Sequence, residues 1–449
     1  MSIMEFFERL QTNAERFPNQ LALTDEQEAI NYETLLHRVA VQHEHYRQQT
    51  GSVFFIDKPN SIDWVIEDLA LLWAEKVSVP VPPFFTDEQK RHLVQQANSS
   101  AQLPLATAKI TYTSGTTGEP KGVCLSAESQ LATVKALAER LGPVKVKRHL
   151  VLMPLAVLLE NIAGVYLSLW LGHEIVLVNS ETAGIKGSSS LCATSFFRAL
   201  QDYQPDSLIL TPALLTAVIA GVEHDQLDRR QFKLLAIGGA KLPLPLELKA
   251  LELGLPLVHG YGLSEFCSVV ALNVPCHPVA GTVGKPLSHA QVVLDDGEIL
   301  VSGNCMLGYL GEPDSWYPQT IRTGDFGSWD AEGNLCIGGR LKNIIVTSFG
   351  RNIDPEWLEA LLRLQPNIVQ AAIFGAEQLP ITALIFSQES ADFIAACVEA
   401  VNSGLPDYAQ IERYFLVPEP FSTANQQLTG TGRLRREQIA RNYSQLLTV

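Results

Sequence analysis

Short apolar runs alternate with amphipathic stretches through the first three-quarters of the chain. The runs are typical of buried strands and comprise Val77–Val81, Leu150–Leu155, Glu174–Val178, Ser207–Leu210, Leu234–Ile237 and Leu257–His259. The amphipathic stretches between them are typical of helices and include Ser61–Lys76, Asp87–Asn98 and Ala127–Leu141. A capping box at Thr86 and Gln89 marks the start of the second helix. Alternation of this kind predicts an α/β fold with a substantial parallel sheet.

The pattern changes near Thr282. Strand-like pieces there are punctuated by glycine, and Asp296-Gly297 and Glu332-Gly333 are typical hairpin turns. After Gly339 a further pattern begins, with strands and helices predicted at Pro355–Leu364, Val369–Phe374, Thr382–Ser387 and Ala391–Asn402. We therefore expect a β-rich subdomain followed by a small α+β module.

The composition indicates a globular protein of more than one domain. The 449 residues are 46% hydrophobic and 18% charged, whereas disordered chains contain few hydrophobic residues. Single cores rarely grow past about 250–300 residues. The net charge of −15 argues against nucleic acid as the main ligand, because a polyanion binds basic surfaces. Arg433, Arg435 and Arg436 form only a local basic patch.

Cysteines and apolar tracts bear on the location of the protein. The seven cysteines are scattered without a C-x-x-C pair, which predicts reduced thiols and no zinc site. The N-terminus is amphipathic and acidic, unlike a signal peptide. The most apolar tract, Leu150–Val178, is interrupted by polar residues such as Glu160 and His173, so we predict buried strands and a buried helix there. We expect a soluble, cytoplasmic protein.

Residues Tyr112–Val123 read Tyr-Thr-Ser-Gly-Thr-Thr-Gly-Glu-Pro-Lys-Gly-Val. Glycines let a backbone approach a ligand closely, while hydroxyls, amides and an ammonium group all donate to phosphate oxygens. The segment is not a Walker loop, because Pro120 and Gly122 stand where that motif requires Gly and Ser or Thr. It predicts an oligophosphate site, and a polar surface loop is the alternative.

Four further segments are each ambiguous alone. His259–Glu265 could present a ring, a hydroxyl and a carboxylate from a tight glycine turn, or could be a capped turn with a solvated Glu. Asp325, beside a glycine turn at Arg322–Asp325, could accept hydrogen bonds from ribose hydroxyls or be a simple turn residue. Gly339–Glu356 combines cations, glycine and a helix that starts at a proline, but an ordinary linker between domains would look similar. Leu428–Arg436 could bring a cation to an anionic centre or could be a solvated basic face.

Taken together, the order and spacing of these segments resemble the motif series of the adenylate-forming (AMP-binding) superfamily. That superfamily contains acyl- and aryl-CoA synthetases, luciferases and adenylation domains of peptide synthetases. The resemblance covers nearly the whole chain, and Gly281–Pro286 and Gly308-Tyr309 support it. The tail Phe421–Arg436 and the segment Pro154–Glu160 are most similar to fatty-acyl-CoA synthetases.

The resemblance implies a role for each matching residue. Oligophosphate binding falls to Thr113, Ser114, Gly115, Thr116, Thr117, Gly118 and Lys121, with Mg²⁺ held by Thr116 and Glu265. Tyr261 would pack on adenine, Ser264 would contact the α-phosphate, and Asp325 and Arg340 would bind the ribose. The nucleotide site would also include Gly239, Ala240 and Gly262.

The resemblance also implies two domains joined by a hinge. Residues 1–339 would bind ATP and the acid, residues 340–342 would form the hinge at Lys342, and residues 343–449 would form a mobile α+β lid domain. One orientation of the lid would form the acyl-adenylate, and the other would admit a thiol.

Three positions depart from the family pattern. Arg433 stands where the family has a tail lysine, and Arg is not equivalent to Lys at such a site. Val157 replaces a histidine near the acyl pocket, and the stretch from Ala70 to Lys109 is short. An apolar pocket is expected from Leu155–Leu159, Gly238–Ala240 and Val269-Val270, which suits a fatty or aryl acid.

We therefore expect an ATP- and Mg²⁺-dependent ligase that forms an acyl-adenylate and passes the acyl group to CoA or to a carrier-protein phosphopantetheine. The first alternative is an adenylating ligase with a non-thiol acceptor. The second is a degenerate nucleotide- or acyl-adenylate-binding protein, for which Arg433 is the only support.

Overall fold

The computed structural model describes residues 1–98, 103–113, 120–186, 190–275, 277–346, 351–376, 379–429 and 432–447. Its α-helices are α1 Ile3–Arg16, α2 Tyr32–Gln48, α3 Ile62–Trp73, α4 Asp87–Asn98, α5 Ala127–Leu141, α6 Leu167–Leu171, α7 Ala193–Tyr203, α8 Pro212–Glu223, α9 Leu244–Glu252, α10 Pro355–Arg363, α11 Ala391–Ser403, α12 Arg436–Asn442 and α13 Ser444–Leu447. A π-helix, Glu160–Tyr166, runs directly into α6.

The strands form several sheets. They are β1 Leu21–Asp25, β2 Ala29–Asn31, β3 Val53–Ile56, β4 Val77–Pro80, β5 Thr107–Thr113, β6 Lys121–Ser126, β7 Arg148–Val151, β8 Glu174–Leu177, β9 Ile185–Lys186, β10 Ser190–Leu191, β11 Ser207–Leu210, β12 Leu234–Ile237, β13 Leu257–Leu263, β14 Ser268–Leu272, β15 Lys285–Pro286, β16 Gln291–Asp295, β17 Glu298–Ser302, β18 Gly308–Tyr309, β19 Thr320–Trp329, β20 Leu335–Arg340, β21 Ile345–Val346, β22 Asn352–Ile353, β23 Gln370–Ala376, β24 Leu379–Phe386 and β25 Arg413–Leu416.

The largest sheet has nine strands in the order β15-β14-β13-β12-β11-β7-β8-β1-β2. Its centre, from β13 to β1, is parallel, while β2, β14 and β15 pair antiparallel at the two edges. Helices α7, α8 and α9 contribute to one core on this sheet. The carboxyl ends of parallel strands lie at one edge of such a sheet, where ligands usually bind.

A second sheet of five strands has the order β18-β6-β5-β4-β3. Strands β3, β4 and β5 are parallel, and β6 and β18 continue the sheet antiparallel. Strands β5 and β6 form a hairpin in which Thr113 pairs with Lys121, on either side of residues 114–119. A further core joins side chains from α1, α2, α3, α5 and the π-helix.

Two smaller sheets follow. Strands β16, β17, β19 and β20 form an antiparallel sheet, and β23, β24 and β25 form the sheet that packs with α10 and α11 near the end of the chain. The predicted fold class, a parallel α/β core with a β-rich part and a final α+β part, is therefore confirmed. The capping box of α4 is present, since Thr86 and Gln89 each accept a hydrogen bond from the other's backbone N–H.

Two local predictions are wrong because glycine was taken as a turn signal. The segments around Gly260 and Gly324 lie inside strands β13 and β19. Gly324 has a φ of +69° within its strand, a conformation that glycine adopts freely. The pairing of β13 with β14 shifts between Tyr261 and Gly262. The glycines therefore mark irregular strands rather than turns.

The predicted strand Leu150–Leu155 is also partly wrong, because β7 ends at Val151. Beyond it, the Asn60 side chain replaces a neighbouring strand: its amide donates to the Met153 carbonyl at 3.0 Å and accepts from the Leu155 N–H at 2.9 Å. The chain therefore leaves the sheet at that point with its backbone groups still satisfied.

Three partly buried histidines predict acid sensitivity. Burial lowers the pKa of His173, His259 and His289 to about 4, from an ordinary value of 6.5. The unfolded chain binds these protons first, so we expect the free energy of unfolding to decrease as the pH falls from about 6.5 toward 4. Urea unfolding at pH 7.5 and pH 5 measures this change. His173→Gln should weaken the dependence and the exposed His37→Gln should not; an unfolding free energy that is flat over this range would contradict the prediction.

Candidate active site

One large cavity collects the predicted site residues. Its volume is about 2480 Å³, and it extends from the nine-stranded sheet to the last α+β part of the chain. Every predicted site residue that the structure describes lines it: Thr113, Lys121, Gly239, Ala240, Tyr261, Gly262, Ser264, Glu265, Asp325, Arg340, Lys342 and Arg433. Ser114, Gly115, Thr116, Thr117 and Gly118 lie outside the described residues. Segments that are far apart in sequence thus meet at one place.

Within the cavity, Lys121 and Glu265 both contact one tyrosine, Tyr309. The Lys121 ammonium lies 4.9 Å from the centre of the Tyr309 ring and 3.0 Å from Glu312 Oε1. The Tyr309 hydroxyl donates a hydrogen bond of 2.9 Å to Glu265 Oε1. Tyr309 appeared in the sequence only within a supporting motif, and Glu312 carried no signal. Tyr309 therefore contacts the lysine through its ring and the Glu265 carboxylate through its hydroxyl.

Asp325, also in the cavity, is the centre of a hydrogen-bonded group. Its Oδ2 accepts from the Tyr261 hydroxyl at 2.5 Å, and its Oδ1 lies 2.9 Å from Arg340 Nε. Asp325 and Arg340 are direct partners across β19 and β20, so the register of this hairpin brings them together. Burial raises the pKa of Asp325, and the charge of Arg340 opposes that shift. Arg340 also donates to the Thr323 carbonyl at 2.9 Å.

The segment after β12 contacts the last part of the chain. The Arg433 guanidinium donates a hydrogen bond of 2.8 Å to the Gly239 carbonyl. Lys241 forms an ion pair with Asp354, whose carboxylate also caps α10 by accepting from the Glu356 N–H at 3.0 Å. Neither Lys241 nor Asp354 was identified in the sequence, because 113 residues separate them and neither belongs to a recognised motif.

Lys342 lines the same cavity, at the start of the last part of the chain. The residue as a whole is exposed, and partial desolvation of its ammonium group together with the positive charge of Arg340 lowers its pKa from the ordinary value. Gly339, close by, has a φ of +121°, and a Cβ at this position would lie 2.5 Å from Asp354 Cγ. The close approach of Asp354 therefore requires glycine at 339.

The cavity also has an apolar side. Side chains from α5, from the π-helix and the segment before it, and from strands β11 and β12 line it: Leu137, Leu141, Val157, Leu158, Leu159, Ala163, Ile209, Leu234 and Ala236. His149 and Ser207 are the polar residues among them, and both are buried. Of the residues predicted for the apolar pocket, 157–159, 238–240 and Val269 line the cavity, whereas Leu155 and Val270 are not among its lining residues.

Glu265 has the chemistry of a magnesium ligand. A carboxylate oxygen is a hard donor, and Mg²⁺ is usually bound through one or two carboxylates together with substrate phosphates. Within the described part of the chain, no group of three or more His, Cys, Asp or Glu side chains could hold a metal by itself. The Glu265 carboxylate thus has the donor chemistry that fits Mg²⁺.

Two family matches cover most of the chain. The AMP-binding enzyme family matches residues 102–310, and the AMP-binding enzyme C-terminal domain matches residues 342–448. The chain belongs to the AMP-binding, adenylate-forming enzymes. Both matches include residues that line the cavity.

The curated relatives of this chain include CoA ligases. The chain is 29% identical to the 2-succinylbenzoate–CoA ligase of Bacillus licheniformis over 60% of its own length, and spans 57% of that relative's length. It is 28% identical to the long-chain-fatty-acid–CoA ligase FadD15 of Mycobacterium bovis, covering 75% of this chain and 68% of the relative.

Solved structures show the same fold. The anthranilate CoA ligase AuaEII in complex with anthranoyl-AMP superposes with a TM-score of 0.81 at 16% identity, covering 98% of this chain and 99% of that one. The Bacillus subtilis o-succinylbenzoate CoA synthetase MenE with its acyl-adenylate gives 0.78 at 20% identity, covering 96% and 97%. None of the helices in the described ranges combines the length and apolar character that a membrane crossing requires.

Proposed function

We propose that this protein is an AMP-forming acid–thiol ligase, which activates a carboxylic acid with ATP and transfers the acyl group to CoA or to a carrier-protein phosphopantetheine. One observation carries the proposal: Lys121, Glu265, Asp325, Arg340 and Arg433 all line one cavity that also has an apolar side. We further propose a cytoplasmic location.

The polar end of the cavity would bind ATP. Asp325 and Arg340 would bind the ribose hydroxyls, and Tyr261, held by its hydrogen bond to Asp325, would pack on adenine beside Gly239, Ala240 and Gly262. Thr113, Lys121 and residues 114–118 would bind the β- and γ-phosphates, with Ser264 near the α-phosphate. Mg²⁺, held by Glu265 and Thr116, would neutralise phosphate charge when bound.

In the first step, a carboxylate oxygen of the acid attacks the α-phosphorus of ATP. The bond from that phosphorus to the bridging oxygen breaks, and pyrophosphate leaves with the electron pair. The protein's part is to position the reactants and to neutralise charge. Lys121 and Arg433 supply the cations, and the Arg433 contact with Gly239 holds its guanidinium in the cavity.

In the second step, a thiolate attacks the acyl carbon of the adenylate, the carbon–oxygen bond to AMP breaks, and AMP leaves. We propose that residues 343–449 rotate about residues 340–342 between the steps, relative to residues 1–339. Lys342, exposed at the start of this part, suits a hinge position. The apolar side of the cavity suits a fatty or aryl acid.

A panel of fatty and aryl acids, read by pyrophosphate release, tests the proposed function. We expect acid-dependent pyrophosphate release with ATP and Mg²⁺, followed by thioester formation when CoA or a phosphopantetheinylated carrier protein is added. Turnover with amines and with neither thiol would instead indicate a non-thiol acceptor. No acid-dependent release with any member of the panel would overturn the proposal.

The Lys241–Asp354 ion pair predicts a separable effect on the first step. It joins the segment after β12 to α10 in the orientation that places Arg433 in the cavity. Lys241→Gln and Asp354→Asn should each slow acyl-adenylate formation about fivefold to twentyfold, because a charge that loses its partner in a partly buried site is destabilising. Asn retains the helix cap. Burst measurements of pyrophosphate release give the rate.

Thioester formation from added acyl-adenylate should be unchanged in both variants, because that step uses the other orientation. The double variant should be no slower than the single variants. Lys249→Gln, which removes an exposed ion pair with Glu223, is the matched control. Equal slowing of both half-reactions would show that the ion pair does not selectively stabilise the orientation that places Arg433 in the cavity.

A further inference from the structure

A buried carboxylate lies between the two large sheets. Asp68, on α3, accepts four hydrogen bonds: from Ser78 Oγ at 2.8 Å, Lys109 Nζ at 2.8 Å, Asn161 Nδ2 at 3.0 Å and Tyr166 OH at 2.9 Å. Lys109 also donates to Asn161 Oδ1 at 2.5 Å. All five side chains are at least 98% buried. We call them the buried charge network.

A buried network of charged groups stabilises a core poorly for its desolvation free energy. Removing a carboxylate and an ammonium from water costs more free energy than their attraction usually returns, and apolar residues of similar volume are often as stable or more so. The network is nevertheless fully hydrogen-bonded, and such networks fix one arrangement of the elements that they join. The elements that the network joins therefore indicate its role.

The network requires the π-helix. Asn161 and Tyr166 are five residues apart, and in an α-helix their side chains would lie about 140° apart around the axis. The wider turn of the π-helix Glu160–Tyr166 brings both to the same carboxylate. π-Helical turns are rare and occur often at functional sites.

Glu160, the residue before Asn161, contacts the other large sheet. Glu160 Oε1 lies 2.8 Å from His149 Nε2, and His149 Nδ1 lies 3.1 Å from Ser207 Oγ. His149 and Ser207 lie on β7 and β11 of the nine-stranded sheet. Adjacent residues of the π-helix are thus bonded to the two different sheets.

At both ends of this arrangement, neighbouring residues line the cavity. Lys109 lies on β5, whose last residue, Thr113, leads into the segment that we propose to bind phosphate. Leu158, Leu159 and Ala163, at or just before the π-helix, line the apolar side. The buried charge network therefore connects the phosphate-binding strand to the wall of the acid pocket.

We propose that the buried charge network is a positioning device, which fixes the acid-pocket wall relative to the phosphate-binding strand and so makes acid fit and ATP binding depend on each other. Asn161 and Tyr166 are its positioning residues and touch neither substrate. The inference rests on the proposed function, because it concerns the two substrates of that reaction.

The test compares two tyrosines. Tyr166→Phe removes one hydroxyl from the network. Tyr32→Phe, in α2, removes the hydroxyl of an equally buried tyrosine, which donates to the His173 carbonyl at 2.6 Å. Both should lower Tm. Only Tyr166→Phe should raise KM for the acid and KM for ATP together, by about threefold to tenfold, and change the preferred chain length in the acid panel, at a temperature where both variants are folded.

A second pair makes a larger change. Asn161→Ala removes both amide contacts of the network, and Asn13→Ala removes a buried amide that donates to the Leu169 carbonyl at 2.9 Å. Asn161→Ala should exceed Tyr166→Phe in its effect on both KM values, while Asn13→Ala should change only Tm. If each variant and its control have the same KM values and acid preference, the network is purely structural and the inference is overturned. Absence of activity in the unmodified protein would instead show that the proposed function has failed, and the inference with it.

Discussion

Glu265→Gln is expected to slow acyl-adenylate formation by about two to three orders of magnitude, the size of effect seen when one group that stabilises transition-state charge is removed. Glutamine keeps the volume and can still accept the hydrogen bond from Tyr309, which is 2.9 Å long in the unmodified chain. What is lost is the negative charge that we propose to hold Mg²⁺ beside the phosphates. The rate of the pyrophosphate burst, measured over a Mg²⁺ titration, should fall and should require a higher Mg²⁺ concentration for half-saturation.

Glu312→Gln is the matched control. Glu312 lies 3.0 Å from the Lys121 ammonium, and both side chains are close to half exposed, so their pairing contributes little to stability. We expect its burst rate to stay within about threefold of the unmodified chain. If Glu265→Gln behaved like Glu312→Gln, with an unchanged Mg²⁺ requirement, Glu265 would not be the metal ligand.

The sequence predicted the fold well because its strands are short, apolar and separated by helices with clear ends. Helix α5 begins and ends where its pattern predicted, at Ala127 and Leu141. The predicted turns at Gly260 and Gly324 are wrong, because both glycines lie inside irregular strands. Glycine allows both a turn and a bulge, so only the pairing of neighbouring strands distinguishes them.

The buried helix predicted within Leu150–Val178 is present, but much of it is a π-helix. Seven residues are too few for the hydrophobic pattern to separate a π-helix from an α-helix. The difference becomes visible only in partners that are distant in sequence, such as Asp68 and Lys109, which lie 93 and 52 residues from Asn161. No local pattern predicts such pairing.

The sequence predicted those residues of the candidate site that belong to recognised motifs. The motifs named Asp325 and Arg340, and the strand register explains why they meet. They did not name Lys241 or Asp354, whose pairing depends on how the last part of the chain lies against the segment after β12. Contacts between distant parts require the folded chain.

Arg433→Ala is expected to reduce acid-dependent ATP–pyrophosphate exchange by about two to three orders of magnitude. The guanidinium lines the cavity and donates to the Gly239 carbonyl at 2.8 Å, so its removal takes a positioned cation from the place where we propose that charge develops on the α-phosphate and the acid. Thioester formation from added acyl-adenylate should be unchanged, because we propose that the rotation about residues 340–342 carries Arg433 away before that step.

Arg433→Lys separates the need for charge from the need for shape. Lysine restores the residue that related enzymes carry, and it keeps the positive charge but loses the planar group with several donors. We expect exchange within about tenfold of the unmodified chain, and far above that of Arg433→Ala. Arg441→Ala is the control, since Arg441 also lines the cavity but is 73% exposed and lies 3.9 Å from Glu437. Equal exchange rates for Arg, Lys and Ala at position 433 would mean that this residue takes no part in adenylation, and that the positive charge for the first step comes from Lys121 and the bound metal.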